Sequence, residues 1–274
     1  MEDVGVSITL VSIFFALDNP VAPILAAWRV FFAREKKKKI SIFFLLLIAT
    51  TKIAALPALP DDLPASVYCP SEDSFLFVDV IDRLASDFLP SFFRPGLPVV
   101  SVEIGGGSGV LSACWLVRCA QQQLPLGFHI IVDINPEACI TCQAAMRLNG
   151  FSSRCDVVQG NLADSFASLR SSGPFEFLIF NPPYVPTDDA ELEEADLTAA
   201  AWAGGRAGRR VLDQLLSQLD KLMAKRSVVL ILAVEENRPQ EICNILSSMN
   251  FECEIVGRKK ARNERLCVIR GKRG

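Results

Sequence analysis

The chain has a single histidine, His129, and a single C-x-x-C pair, Cys139 and Cys142, with no second pair to match it. A structural zinc ion needs about four such ligands, so no metal centre is expected. The nine cysteines are scattered singly and their number is odd. That pattern reads as buried thiols in a reducing compartment and not as a disulfide framework. Long apolar runs are missing as well. Val4–Leu17 is uncharged for 14 residues and Ile40–Thr51 for 12, both short of the roughly 18 residues of a membrane-spanning helix. The start carries Glu2 and Asp3, not a positive cluster, and no small-residue cleavage site follows Leu17, which argues against a secretory signal. No internal repeat is evident.

A basic excess is also lacking where it would matter. Residues 1–59 hold seven Lys/Arg and four acids, which leaves 21 basic and 27 acidic residues, a net charge of −6, in 60–274. An acidic domain is a poor non-specific binder of nucleic acid. The exception is local: Gly257–Gly274 carries eight basic residues against Glu264, a run that reads first as a solvated face. Residues 1–59 read as an extension outside the domain. Their Phe, Leu, Ile and Lys runs are what translated A/T-rich non-coding sequence yields. A disordered segment and a weak anchor are the other readings, the latter because Lys36–Lys39 before Ile40–Thr51 resembles a short signal anchor.

From Pro60 the chain alternates strand and helix. Pro60, Asp61, Asp62 and Pro64 form a linker, and Ser71 or Asp73 caps a helix with Leu76, Val80, Ile81, Leu84 and Phe88 at helical spacing. A strand over Pro98–Ile104 runs into Glu103-Ile104-Gly105-Gly106-Gly107-Ser108-Gly109. Gly105, Gly107 and Gly109 permit a tight turn and close approach of a ligand to backbone. The dinucleotide fingerprint would need glycine at 110, which is Val110. With Glu103 ahead of the glycines, the turn suits a ligand with an amino group and no pyrophosphate, such as S-adenosylmethionine.

A second strand, Phe128–Val132, ends in Asp133, placed either to accept both ribose hydroxyls of a nucleoside or to cap the helix from Pro136 to Asn149. A third strand, Cys155–Val158, precedes Asn161, which sits where a side chain can reach an adenine edge. An acidic loop follows the fourth strand, from Asp188 to Asp196. A helix over Ala207–Met223, a strand over Ser227–Val234 and a helix over Pro239–Met249 come next. The last two strands, Glu252–Val256 and Leu266–Arg270, are joined by a basic loop. Alternation argues a mostly parallel sheet, and the final pair an antiparallel margin, with 266–270 at the edge.

The fourth strand, Phe175–Phe180, is nearly all apolar and stops at Asn181-Pro182-Pro183-Tyr184. Two prolines cannot continue a strand, so a rigid turn forms at the carboxyl end of a strand, where open α/β sheets bind ligands. Such a turn suits transfer to a planar nitrogen whose lone pair is delocalised. The Asn181 side-chain oxygen and a proline carbonyl each accept one N–H, and Tyr184 stacks on the flat group. The plain alternative is a proline-rich turn after a core strand.

These stretches together, Val67–Ser74, Glu103–Gly109, Asp133–Ala138, Asn181–Val185 and Ala200–Gly208, resemble the HemK-like class I S-adenosylmethionine-dependent methyltransferases. The nearest pattern is the eukaryotic-type catalytic subunit that methylates a class I peptide release factor. Asn-Pro-Pro-Tyr alone is shared with DNA, RNA and protein methyltransferases; joined to Ala-Trp-Ala-Gly-Gly-Arg it is far more specific. The resemblance implies a Rossmann-like, seven-stranded, mostly parallel α/β sheet over 60–274. It implies a cofactor over Glu103–Gly109, with Asp133 on the ribose, Asn161 and Leu162 at the adenine and Ser74 closing over the methionine end. Asn181, Pro182, Pro183 and Tyr184 would bind and orient the substrate, the glutamine of a Gly-Gly-Gln tripeptide, with Asn181, Pro182 and Tyr184 as the catalytic residues and Asn181 also against the cofactor. A small zinc-binding activator subunit is implied as partner. The expected compartment is the cytoplasm, with the nucleus as a second. Cys69, Ser74 and Asn161 stand where the family usually has glutamate, threonine and aspartate.

Two other functions compete. A nucleic-acid N6-adenine methyltransferase should carry a basic recognition segment, and this domain is acidic. An inactive fold kept to bind a partner would not need Glu103, Asp133, Asn181 and Tyr184 together. For the activator, the Cys155–Val158 strand is the expected docking edge, because an edge strand with little charge beyond Arg154 and Asp156 needs cover.

Overall fold

The computed structural model describes residues 56–166, 173–188, 201–261 and 264–274. The extension expected over residues 1–59 lies outside the described residues up to 55, and so does the acidic loop from 189 onward.

The sheet and its helices follow from two periodicities. Helix α1 (Glu72–Asp87) buries Leu76, Phe77, Val80, Ile81 and Leu84 on one face, the i, i+4 spacing of an amphipathic helix. Ser71 is its N-cap, and the Ser71 and Ser74 side chains form a reciprocal capping box. Asp73, the other cap expected from sequence, is instead buried and turned to a different task. After a short helix α2 (Leu89–Phe92) come β1 (Val99–Ile104), α3 (Val110–Gln121), β2 (Leu126–Asp133), α4 (Pro136–Leu148), β3 (Cys155–Gln159) and β4 (Phe175–Phe180). The chain then forms α5 (Arg210–Leu222), β5 (Met223–Val234), α6 (Pro239–Ser248), β6 (Glu252–Ala261) and β7 (Glu264–Arg273).

The strands form one seven-stranded sheet in the order β3-β2-β1-β4-β5-β7-β6. Pairings from β3 to β5 are parallel; β7 runs antiparallel to both β5 and β6. Successive residues of a strand point to opposite faces, and the core divides accordingly. Ile131, Phe177, Ile179, Val228 and Leu230 pack under α1 and α3, where Trp115 stacks on Phe177 at 4.0 Å. Val102, Ile104, Val132, Leu178, Phe180 and Val229 pack under α5 and α6. The strand order reverses between β1 and β4, so their carboxyl ends flank the crevice where doubly wound sheets hold ligands.

The class of sheet and its antiparallel margin match expectation; several boundaries do not. Leu266–Arg270 is not an edge: β7 lies between β5 and β6, and β6 is the margin. The expected basic loop is mostly strand, since β6 continues to Ala261 and β7 begins at Glu264. A register shift at Ile255/Gly257 accommodates the close passage of Gly257, where a Cβ would sit 2.6 Å from Val80 Cγ2. The helix expected from Ala207 starts only at Arg210, because Ala207 and Gly208 have φ of 56° and 64°. Met223 already belongs to β5. All nine cysteines are free and six are buried, but Cys69 is exposed and Cys155 and Cys253 are half-buried.

Candidate active site

Ser74, Glu103, Gly105, Gly107, Asp133, Asn161, Leu162, Asn181, Pro182, Pro183 and Tyr184 all line one cleft of about 930 Å³ at the carboxyl ends of β1, β2 and β4. Tyr68, Asp73, Trp202, Lys260 and Glu264 line it too, and sequence reading had given none of these five a place in the site.

The turn after β1 is built on backbone freedom. Gly105, Gly107 and Gly109 have φ of 72°, 52° and 79°, the left-handed region that glycine enters without penalty. A Cβ on Gly106 would lie 2.3 Å from Ile131 Cγ2 and 2.8 Å from Cys142 Sγ, so β2 and α4 pack directly beneath the loop. Asp133, at the end of β2, holds this turn: one carboxylate oxygen accepts from Gly107 N at 2.9 Å and the other from Asn135 N at 2.8 Å. Asp133 is not the helix cap, since Asn135 caps α4 by accepting from Glu137 N. Burial raises the Asp133 carboxyl above the usual range, and backbone donors oppose that rise.

Glu103 closes the floor of the cleft, 1% exposed. Its Oε2 accepts from both Ser112 N and Ser112 Oγ. Behind Ser112 lies His129, fully buried, with Nε2 2.7 Å from Ser112 Oγ and Nδ1 2.8 Å from Ser101 Oγ; Trp115 Nε1 donates to Ser101 Oγ. A neutral Nε2–H tautomer satisfies every member: Trp115 to Ser101, Ser101 to His129, His129 to Ser112, Ser112 to Glu103. Burial pushes the His129 pKa down to about 3 and the Glu103 pKa up to about 8, where Ser112 pulls against the rise. The sole histidine is therefore a hydrogen-bond relay under the cleft. Among the described residues no group of His, Cys, Asp and Glu could hold a metal ion.

Asn161 is exposed at the rim and Leu162 is buried with φ of 48°. Across the cleft, Asn181 Nδ2 donates to Asp73 Oδ2 at 2.9 Å. A carboxylate only accepts, so the atom facing Asp73 is the amide nitrogen. Asn181 Oδ1 is left as a buried acceptor with no partner in the protein. Asp73 is 2% exposed and also receives Tyr68 Oη at 3.2 Å and Ser74 Oγ at 3.4 Å. The sequence signal was the acid two residues after the N-cap, which a first-turn preference for acids explains equally well. Burial, then the Asp73 charge, pushes the Tyr68 pKa up to about 12 and that of Tyr184 higher still. Both phenols stay protonated at neutral pH. Pro182 is buried, and Asn181, Pro183 and Tyr184 are half-buried.

No family profile matches the chain. Individual proteins do. Mouse "Methyltransferase HEMK2" is 32% identical over 207 residues, covering 74% of this chain and 88% of the relative. The Schizosaccharomyces pombe "eRF1 methyltransferase catalytic subunit mtq2" is 32% identical over 210 residues, covering 74% and 88%. The Agrobacterium fabrum "Release factor glutamine methyltransferase" is 24% identical over 196 residues, covering 70% of this chain and 63% of the relative. Among solved structures, the METTL16 methyltransferase domain superposes with a TM-score of 0.51 at 13% identity, over 78% of this chain and 88% of that domain. This last likeness bears on the fold, which is that of the class I methyltransferases.

Proposed function

The chain belongs to the family of HEMK2 and Mtq2 methyltransferases, and from that premise we propose that it methylates the glutamine side-chain amide of the Gly-Gly-Gln motif in a class I peptide release factor. The observation that carries this reading is Asn181 Oδ1, a buried acceptor with no partner, whose orientation is fixed by a carboxylate behind the amide. A buried acceptor left unpaired costs about 1–3 kcal/mol, and a substrate N–H would satisfy it. The turn offers one further acceptor. Pro183 O packs against Gly204, where a Cβ would lie 2.5 Å away, and Tyr184 O accepts from Asn237. We assign that role to the Pro182 carbonyl. An amide NH₂ has two hydrogens, one for each acceptor, so its nitrogen would be held still with its plane against Tyr184.

The residues of the cleft fit S-adenosylmethionine. The left-handed glycines, with open space where a Cβ on Gly107 would stand, let a ligand lie against backbone, each Asp133 oxygen keeps capacity for a ribose hydroxyl, and Glu103 offers a carboxylate to an ammonium group. When bound, this cofactor supplies a methyl group on a sulfonium, a reactive donor. The protein's part is positioning, which can supply roughly 7–11 kcal/mol of a barrier. Tyr68 and Tyr184, held protonated, do not serve as bases, and the amide proton leaves late.

Two expectations follow for cofactor binding. Asp133→Ala should weaken S-adenosylhomocysteine binding by about 2 kcal/mol, roughly thirtyfold, the scale of a hydrogen bond to a charged group; unchanged affinity in calorimetry would remove Asp133 from the ribose site. The second concerns pH. The Glu103 carboxyl is raised in the fold from 4.5 to about 8 by burial. Its contribution to apo stability is fully present below 4.5 and is lost as pH rises towards 8. An ammonium ligand favours the ionised form, so affinity should rise across the same window with release of a proton. Affinity that is flat between about pH 6 and about pH 8, in buffers of different ionisation enthalpy, would contradict this.

Substrate identity is tested by label transfer from S-adenosylmethionine to a release factor, to the same factor with its motif glutamine replaced by asparagine, and to an adenine-containing DNA duplex. Label only on the first supports the proposal; label on the duplex favours the adenine rival. The relative named as a catalytic subunit supports a partner subunit here too, which we take to be the small zinc-binding activator that the sequence resemblance implies. So does the margin of the sheet: β3 has one neighbour, β2, and Phe128, Ile140 and Leu148 are 39%, 67% and 56% exposed on β2 and α4 beside it. Strand addition along β3 would cover both the edge and these side chains. Hydrogen exchange on the complex should protect 155–159. Protection of the β6 margin, 252–261, with 155–159 unchanged would place the partner on the other side. Among the described residues no helix is long and apolar enough to cross a membrane.

A further inference from the structure

The Ala-Trp-Ala-Gly-Gly-Arg stretch carries much of the family likeness, yet of its described residues only Ala201 and Trp202 line the cleft. Its remaining residues pack behind the Asn181–Tyr184 turn. Val185 forms a parallel bridge with Ala203: Val185 N donates to Trp202 O at 3.0 Å and Gly204 N to Val185 O at 2.8 Å. Thr187 N donates to Gly205 O at 3.1 Å. Gly208 passes so close that a Cβ there would lie 1.9 Å from Tyr184 O. Two irregular segments lie back to back here, and their carbonyls need a shared donor.

Asn237 supplies it. It sits in the 3₁₀ turn Glu235–Asn237 that ends β5, is fully buried and does not line the cleft. Its Oδ1 accepts from Val234 N at 2.8 Å. Its Nδ2 donates to Tyr184 O at 2.9 Å, to Ala207 O at 2.9 Å and, more weakly, to Gly208 O at 3.3 Å. One amide thus ties the end of β5, the Gly-Gly-Arg turn and the turn that presents Asn181. Pro182 and Pro183 have no N–H to donate, so little else in the turn can anchor it from behind.

We infer that Asn237 is a positioning residue for methyl transfer: by holding the Tyr184 carbonyl from behind, it fixes the plane of the Asn181–Tyr184 turn, and with it the two acceptors that orient the substrate amide. This rests on the substrate reading above for its kinetic consequence, but not for its structural one. A shift of about 1 Å in such a constellation is enough to cost roughly 10²-fold in rate.

The variants Asn237→Ala and Asn237→Asp separate positioning from packing. Aspartate keeps the volume and the acceptor for Val234 N, but its ionised form sets a carboxylate against three carbonyls. The charged groups around it are Glu235, Glu236 and Arg238 on its own turn, Arg206 and Arg209 on the turn packed against it, Arg210 at the start of α5, and Glu264 and Arg265 at the start of β7, where Arg265 pairs with Glu235. Protonated, the aspartate can donate to Tyr184 O. Asn237→Asp should therefore show a limb absent from the parent, with kcat falling about tenfold or more as pH rises, and little change in S-adenosylhomocysteine affinity. Asn237→Ala should lose kcat at every pH. In both, backbone exchange at Val185 and Thr187 should quicken while that of 103–109 stays as in the parent.

Parent-like kcat and exchange in folded variants would overturn the inference, as would losses that track cofactor affinity alone. If Asn237→Ala fails to fold, the pH limb of Asn237→Asp decides. The exchange measurement needs no release factor, so failure of the substrate reading and failure of the brace are distinguishable.

Discussion

Asn181→Ala is expected to lower turnover by roughly 10²- to 10³-fold while leaving S-adenosylhomocysteine affinity within about twofold of the parent, as for loss of one oriented group aimed at a reacting centre. The alanine removes the buried acceptor Oδ1 and the donor to Asp73 at one stroke. It touches none of the hydrogen bonds that hold the Gly105–Gly109 turn to Asp133 or Asp133 to Asn135. The split between turnover and affinity is the informative result. Parent-like turnover would take Asn181 out of the mechanism, and an equal loss in affinity would assign it to cofactor binding instead.

The second large effect is expected one step behind. Asp73→Ala should reduce turnover by about 10²-fold, because the carboxylate is what tells the Asn181 amide which way to face. Without it, Nδ2 loses its acceptor and the amide can turn, presenting a donor where the substrate also presents donors. Asp73 and Asn181 would then act as one unit, and units of this kind are strongly non-additive. The double variant should be no slower than Asn181→Ala alone, read in a single-turnover assay at saturating cofactor. Multiplicative losses would show that Asp73 serves another purpose, such as holding Tyr68.

Much of this was legible in the sequence because local chemistry and fold agree there. Alternate glycines after an apolar strand leave few conformations open, and a pair of prolines after another marks its end without ambiguity. The mostly parallel sheet followed from strand and helix alternation, and its seven strands from the family resemblance. What escaped were relations between distant residues. Asp73 looked like a helix cap, and only the packing of α1 across the end of β4 brings it to Asn181. His129 looked like a stray polar residue in a strand; its relay to Glu103 needs Ser101, Ser112 and Trp115 from two other elements. Asn237 carried no signal, since an asparagine after a strand commonly means a turn. The ends of β6 and β7 nearest their connection were read as a basic loop between two shorter strands, although an antiparallel pair with one exposed face tolerates such charge. Lys259 pairs with Glu72 and Arg270 with Glu254.

Tandem mass spectrometry of a class I release factor, incubated with this protein, the proposed activator subunit and S-adenosylmethionine, tests the central claim most directly. The expected product carries one methyl group on the side-chain amide of the glutamine in the Gly-Gly-Gln motif, and none when Asn181→Ala replaces the parent for the same interval. An unmodified motif glutamine under conditions where the parent binds cofactor, or a methyl group on another side chain, would contradict it.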